Sequence, residues 1–326
     1  MDLFEEICSV PAEETDLLMH YPVPVPWADF LLNPRRLRGS DFLMRWSQGV
    51  WTERRLVEAV NRTGRYVALP YGPSGAAPSE DVSELEEYFA RLESAGLGVL
   101  KRPDLLVFVA SDAEAVESLV CDLGGIQELP FLPEDCPEMK QIIARAILAV
   151  ECENSLWVAK RMPDYGSDLK PMARLGKQLG MKKSAVVPTV ILKEEDRVPL
   201  QEWERAMKVP IHIWHAFYEV AFGIALSKAE HLIACGAVEP TKQVFQAPSG
   251  PTSHKTIYKI YYQHAYVLAE QIEEPRLVAE YIIGKNGHVL PYVRFEGGSL
   301  ALTQAGLGVL EEAQRARGVR GEDATS

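Results

Sequence analysis

The chain has 326 residues, 47% hydrophobic and 25% charged, the balance of a globular protein with a substantial core. No run of about 18 uncharged apolar residues occurs, which excludes an ordinary membrane-spanning helix. Cys8, Cys121, Cys136, Cys152 and Cys235 are scattered without a C-x-x-C pair, which excludes a zinc ribbon and argues against a disulfide framework; with the acidic start Asp2 to Glu6, a cytoplasmic location is expected.

The net charge of −12 runs against a uniformly basic nucleic-acid binder, but the charge is uneven. Between Lys160 and Lys193 stand eight basic residues (Lys160, Arg161, Lys170, Arg174, Lys177, Lys182, Lys183, Lys193) against Asp164 and Asp168 alone. Between Arg35 and Arg55 six arginines stand against Asp41 and Glu53. Such clusters read either as solvated faces or as a basic cleft in an acidic body.

In chain order, Pro22, Pro24 and Pro26 predict extended chain leading into an N-terminal helical region, residues 1–65. That region includes a helix over residues 52–61 with Thr52 as its cap. Residues 66–69 form a short strand, and a Pro- and Gly-rich loop follows. Leu85, Tyr88, Phe89 and Leu92 predict a helix over residues 83–94. The continuous apolar run 105–110 is a strand buried on both faces, as is 146–150. Helices near 113–123 and 138–144 separate them. A third apolar run, 185–192, contains Pro188 and is expected at an edge. A fourth, 209–214, precedes a long apolar helix over 216–235. Residues 256–270 are expected to form a tyrosine-rich helix. Gly284-Lys285-Asn286-Gly287 predicts a hairpin turn between 277–283 and 288–295, and residues 302–315 a closing helix. This alternation predicts an α/β fold, a mixed central β-sheet flanked by helices. Residues 66–235 form the core and 236–326 a C-terminal helix and hairpin extension of a single compact domain, 1–326.

Two segments carry the chemistry. Asp104 follows Pro103 at the start of a buried strand. Glu151 and Glu153, two apart on another strand, share one face, with Ile147 and Ala149 before them on it. If the strands pair, three carboxylates converge, and their repulsion calls for a cation. Mg2+, a hard ion with oxygen ligands, is the simplest. The metal set is Asp104 and Glu151, together with Cys152 between the glutamates. Glu153 orients or deprotonates an attacking water, so the catalytic set is Asp104, Glu151 and Glu153. The chemistry suited to this site is phosphodiester cleavage. DNA contacts are expected from Asn154 and Ser155, directly after the acidic pair, and from Lys160, Arg161, Arg174, Lys177, Lys182 and Lys183. Taken singly, a Pro-Asp pair also starts ordinary strands, and glutamates two apart also face solvent on edge strands. His212, His215 and Glu219 offer a zinc triad, against which a structural histidine pair is the simpler reading.

Pro103-Asp104 followed by Glu151-x-Glu153 resembles the PD-(D/E)xK nuclease core, in the variant whose last lysine is glutamate, known from BamHI-type restriction enzymes. The interval between the halves is longer here than in many members, and Lys160 lies beyond the motif's third place. The stretch Glu151-Cys152-Glu153-Asn154-Ser155-Leu156-Trp157-Val158-Ala159-Lys160-Arg161-Met162-Pro163-Asp164-Tyr165 is similar to the AccI family of type II restriction endonucleases. The similarity continues through Arg174 to Lys183, Pro188-Thr189 and Pro210 to His215. The resemblance implies a restriction-endonuclease-like core and a Mg2+-dependent homodimer that cuts both strands of a short palindromic DNA site, GT(A/C)(G/T)AC in the type member. It also implies a cognate DNA methyltransferase in the same system, without direct binding. A repair or mobile-element nuclease, or a non-catalytic DNA-binding protein on the same fold, stands as the alternative.

Overall fold

The computed structural model of the chain describes residues 41–73, 75–76, 82–95, 101–246, 252–283 and 289–323. The proline run at 22–26 and the 284–287 turn lie outside these residues. In order come α1 (Asp41–Asn61), β1 (Tyr66–Pro70), α2 (Val82–Ser94), β2 (Leu105–Val109), α3 (Ala113–Asp122), α4 (Pro137–Arg145) and β3 (Leu148–Asn154). After the two-residue strands β4 (Lys170–Pro171) and β5 (Leu179–Gly180) follow β6 (Thr189–Lys193), α5 (Glu194–Met207), β7 (Ile211–Ala216), β8 (Val220–Ala225) and α6 (Leu226–Ala234). The chain then forms β9 (Pro240–Gln246), β10 (Thr252–Tyr261), β11 (Tyr266–Ile283), β12 (Val289–Leu302) and α7 (Gln304–Asp323).

The architecture is mixed α/β. A seven-stranded sheet runs β1-β2-β3-β7-β8-β11-β12; β3 and β7 are parallel and every other neighbouring pair is antiparallel. A smaller sheet runs β6-β10-β9, with β6 at its edge directly after Pro188. Strand alternation divides the core into two layers. Leu106, Phe108, Ala149, Ile211, Ile213, Phe222 and Ile224 point to one side, against Val116 and Val120 of α3, Ile142 of α4, Leu200 and Trp203 of α5 and Leu232 of α6. Leu105, Val107, Leu148, Val150, Trp214 and Ala221 point to the other, against Leu56 and Val60 of α1 and Leu310 of α7. Ile147 precedes β3 and packs in this second layer, so only Ala149 leads the face on which the glutamates lie. Among the described residues no helix is long and apolar enough to cross a membrane.

Three expected elements differ. The helix expected over 216–235 is strand β8 followed by the shorter α6. Val220 to Ile224 are all buried, because β8 lies between β7 and β11 with both faces covered; such a run has no periodicity to tell strand from helix. The tyrosine-rich helix expected over 256–270 is instead β10 and the start of β11, with Tyr258 and Ile260 inward and Lys259 outward. Thr52 caps nothing: α1 begins eleven residues earlier, at Asp41, and Thr52 is buried within it. The last third of the chain also does more than extend the core, since β11 pairs with β8 and carries β12 into the central sheet.

Candidate metal centre

The β2–β3 register fixes the site. Leu105 pairs with Val150 and Leu106 with Ala149, so Asp104, the residue just before β2, stands beside Glu151. The start of β2 is firmly held. Arg102 is buried and donates to the carbonyls of Leu129 at 2.9 Å and Leu132 at 2.6 Å. Tyr71 and Gly72 N–H groups both donate to the Asp104 carbonyl, at 2.8 and 3.1 Å. Gly72 has to be glycine for this approach, because a Cβ there would lie 2.7 Å from the Pro103 carbonyl oxygen and 3.0 Å from the Asp104 Cα.

Glu151 and Glu153 lie on the side of β3 that faces α5. The first turn of α5 brings in Asp196, and single oxygens of Glu151, Glu153 and Asp196 all lie within 4.8 Å of one another. Asp104 is buried, and its Oδ2 accepts a hydrogen bond from the Cys152 backbone N–H at 2.7 Å. Glu53 reaches the same cluster from α1: at Gly75 a Cβ would lie 3.1 Å from both the Glu53 Oε2 and the Asp104 carbonyl oxygen.

Two ammonium groups partly balance these five carboxylates. Lys101 is ion-paired with Glu151 and stands 3.8 Å from Asp196. Lys193, the last residue of β6, stands 2.6 Å from Glu153 and 3.9 Å from Asp196. Burial first, and the crowding of like charges second, favour the protonated form of these acids. Burial, then the neighbouring Asp104, push the Glu151 carboxyl well above its ordinary value, with Lys101 opposing. Burial and Asp104 do the same to Glu53. Burial raises Asp104 against Lys101 and the Cys152 N–H, and raises Glu153 against Lys193. Burial works against the Lys101 ammonium too, but Glu151, Asp104 and Asp196 outweigh it and raise its pKa. The Glu151 Oε2 is buried without a hydrogen-bond partner. A desolvated carboxylate oxygen with no donor, amid an excess of acids, is what a bound cation relieves. The donors are hard oxygens, so the residues fit a divalent metal ion.

Cys152 enters differently than expected. Its side chain packs with the apolar layer on the face opposite the glutamates, away from the carboxylate cluster, and burial together with Asp104 pushes its thiol pKa well up. Its part is the backbone N–H on Asp104.

The expected DNA contacts divide. Asn154, exposed at the end of β3, and Ser155 continue the acidic strand. Lys160 is bound to Glu270 at 2.7 Å, and Arg174 is ion-paired with Glu239 and donates to the Met181 carbonyl at 2.7 Å. Arg161, Lys177, Lys182 and Lys183 are exposed. Ser155, Arg174, Lys182 and Lys183 line one cleft; Asn154, Lys160, Arg161 and Lys177 do not. In the N-terminal arginine cluster, Arg55 turns inward, donating to the Tyr218 carbonyl at 3.0 and 3.1 Å and covering the Trp51 ring.

The histidine triad is not assembled. His212 and His215 are three apart on β7 and point to opposite faces. His212 Nδ1 is 2.8 Å from the Tyr266 hydroxyl, which also accepts from Trp214 at 2.9 Å. Glu219 accepts the backbone N–H groups of Ala159 and Lys160.

Sequence reading missed Glu53, Lys101, Lys193 and Asp196. Asp196 sits in the acidic start Glu194-Glu195-Asp196, which signals a helix N-terminus and nothing more specific. Comparison with family models, curated proteins and solved structures gave no match, so the functional reading rests on this geometry and on the motif residues themselves.

Proposed function

We propose that the protein is a Mg2+-dependent endonuclease that hydrolyses phosphodiester bonds in double-stranded DNA. The observation that carries the reading is the unpartnered, buried Glu151 Oε2 within a cluster of Glu151, Glu153 and Asp196, beside Asp104 on the neighbouring strand. Glu151, Glu153 and Asp196 would hold the ion, with Asp104 adding its charge from β2. When bound, Mg2+ supplies Lewis-acid stabilisation of charge that develops on a phosphoryl oxygen.

The chain's own groups supply the rest. Glu153 lies one residue before exposed Asn154, at the open end of β3, and would orient an attacking water and accept its proton. Lys193, at 2.6 Å, fixes its orientation. Lys101 holds Glu151 and neutralises part of the cluster. The motif resemblance supports a finer reading: a restriction-endonuclease-like core, and a homodimer of the AccI kind cutting a short palindrome, since two-fold symmetry matches a palindrome and two sites cut two strands.

Incubation of the purified chain with plasmid DNA and Mg2+ tests this. Discrete fragments are the expected product. Cuts that follow DNA structure instead of sequence would place the same chemistry in repair or mobile-element processing. Duplex binding without cleavage under any divalent ion would leave a non-catalytic DNA-binding protein.

A further inference from the structure

The nuclease reading leaves open where the nucleic acid lies, and a second feature beside the acidic centre answers this; the inference below rests on that reading. A cleft of about 920 Å3 has Ser155 and His215 in its lining, and His215 is the β7 residue paired with Glu153 across the β3–β7 ladder. The cleft therefore begins one strand spacing, roughly 5 Å, from the acidic centre. Its basic side chains come from two separate parts of the chain. Arg174, Lys182 and Lys183 lie in the segment after β3, and Lys242 and Lys259 on β9 and β10. Arg174 is paired with Glu239, which also lines the cleft. The four lysines are exposed and have no ion-pair partner among the described residues.

His215 adds a donor of another kind. It is 1% exposed and stacks on Phe217, and its Nδ1 accepts the Ile191 N–H at 3.3 Å. Because Nδ1 accepts that N–H, the ring's own proton sits on Nε2. That Nε2 is buried with no partner. Unpaired ammonium groups along the walls, with an unsatisfied N–H at the inner end, suit a chain of anionic oxygens.

We infer that this cleft receives the phosphate backbone of duplex DNA next to the scissile bond, with Lys242 and Lys259 of the β9–β10 pair gripping it opposite Lys182 and Lys183. The β9–β10 sheet is then a clamp for the backbone.

Duplex binding by the full-length protein, with Ca2+ in place of Mg2+ and at several salt concentrations, tests the assignment. The variant pair is Lys242→Glu with Lys259→Glu; the control pair is Lys140→Glu with Lys228→Glu, which makes the same charge change on α4 and α6, away from the cleft. The cleft pair should weaken binding at least about tenfold and flatten the dependence of log affinity on log salt by roughly two, one per lost phosphate contact. The control pair should do neither, and Mn2+ binding measured by calorimetry should match wild type in both. If the cleft pair binds duplex with wild-type affinity and salt slope while wild type cleaves, the cleft assignment is overturned and the nuclease reading stands. Equal losses in both pairs overturn it too, since net charge alone then explains them. If wild type neither binds nor cuts any duplex, both fall together.

Discussion

The Asp104 carboxylate accepts the Cys152 backbone N–H at 2.7 Å, tying the first residue of the acidic motif to the strand that carries the other two. The bond separates charge from structure. Asp104→Asn keeps an acceptor for that N–H and removes one charge from a crowded, buried cluster. Metal-free stability should therefore hold or rise, while plasmid cleavage falls by about a hundredfold or more, the scale of losing one electrostatic contribution to the transition state. Asp104→Ala leaves the Cys152 N–H without its acceptor and should cost roughly 1–3 kcal/mol in denaturant unfolding. Full cleavage by the Asn variant would remove Asp104 from the catalytic set.

Glu153→Lys would install the commoner lysine of the nuclease motif, and loss of activity is expected from the sequence because the neighbouring groups suit a carboxylate. The structure gives that expectation a specific cause. The new ammonium would meet Lys193, now 2.6 Å from Glu153, with Lys101 raising the positive charge further. The variant should lose cleavage and stability, since a half-buried attractive pair becomes a repulsive one. Wild-type cleavage in the variant would mean that Lys193 moves freely and that the third position tolerates either charge.

The two strands and the shared face of the glutamates were legible because their signals are local and strong, while the pairing of the strands was a condition that the β2–β3 register meets. Leu105 to Val109 is apolar without interruption, and the parity of Glu151 and Glu153 fixes a shared face once they are on a strand. The residues that complete the site carry no such signal. Lys101, Lys193 and Asp196 enter through tertiary packing of the β6–α5 junction and the approach to β2, and Glu53 comes from a helix that otherwise serves the opposite layer. The errors of fold have the same origin. Val220 to Ala225 reads as helix because it is apolar throughout, and only its place between β7 and β11 makes that run a strand. Residues 256–270 read as a tyrosine-rich helix, whereas aromatic side chains fit a pleated surface at least as well.

Asp196 separates the geometric reading of the site from the motif reading. Asp196→Asn removes one of three carboxylates whose oxygens lie within 4.8 Å of one another and leaves the whole sequence motif intact. Mn2+ affinity by calorimetry should drop about tenfold or more, the scale of losing a metal-site partner. Unchanged affinity would confine the ion to Asp104, Glu151 and Glu153 and leave Asp196 as the partner of the two lysines.

Gly72→Ala tests the support of β2 without touching a charge. The added methyl would meet the Pro103 carbonyl and the Asp104 backbone, neither of which can yield without moving the strand start. Activity should fall by about tenfold or more, since small displacements of a catalytic group carry costs of this order, while the fold, read by circular dichroism, persists. Wild-type cleavage would show that the β1–β2 approach does not set the position of Asp104.

The pH dependence of stability should reveal the excess of acids and its relief by metal. Glu53, Asp104, Glu151 and Glu153 all hold protons more tightly in the folded chain than their ordinary values imply. Their contribution to stability is complete below the unfolded carboxyl range and is lost as pH climbs through the raised folded values, because above that range the unfolded chain binds fewer protons. Lys101 and Lys193 are raised as well, so their contribution is intact at neutral pH and fades only above the ordinary lysine value of 10.5. Above the ordinary carboxylate range and below the ordinary lysine value the acids therefore dominate this site, and the metal-free protein should melt at lower temperature as pH rises through their raised values. Metal competes with protons for the same oxygens, so Mg2+ should raise the melting temperature more at a higher pH within this window than at a lower one. At a hundred times its dissociation constant the ion adds about 2.7 kcal/mol. Glu151→Gln should abolish that increment. An increment that is equal at both pH values, or one that survives in the variant, would show that the ion binds elsewhere.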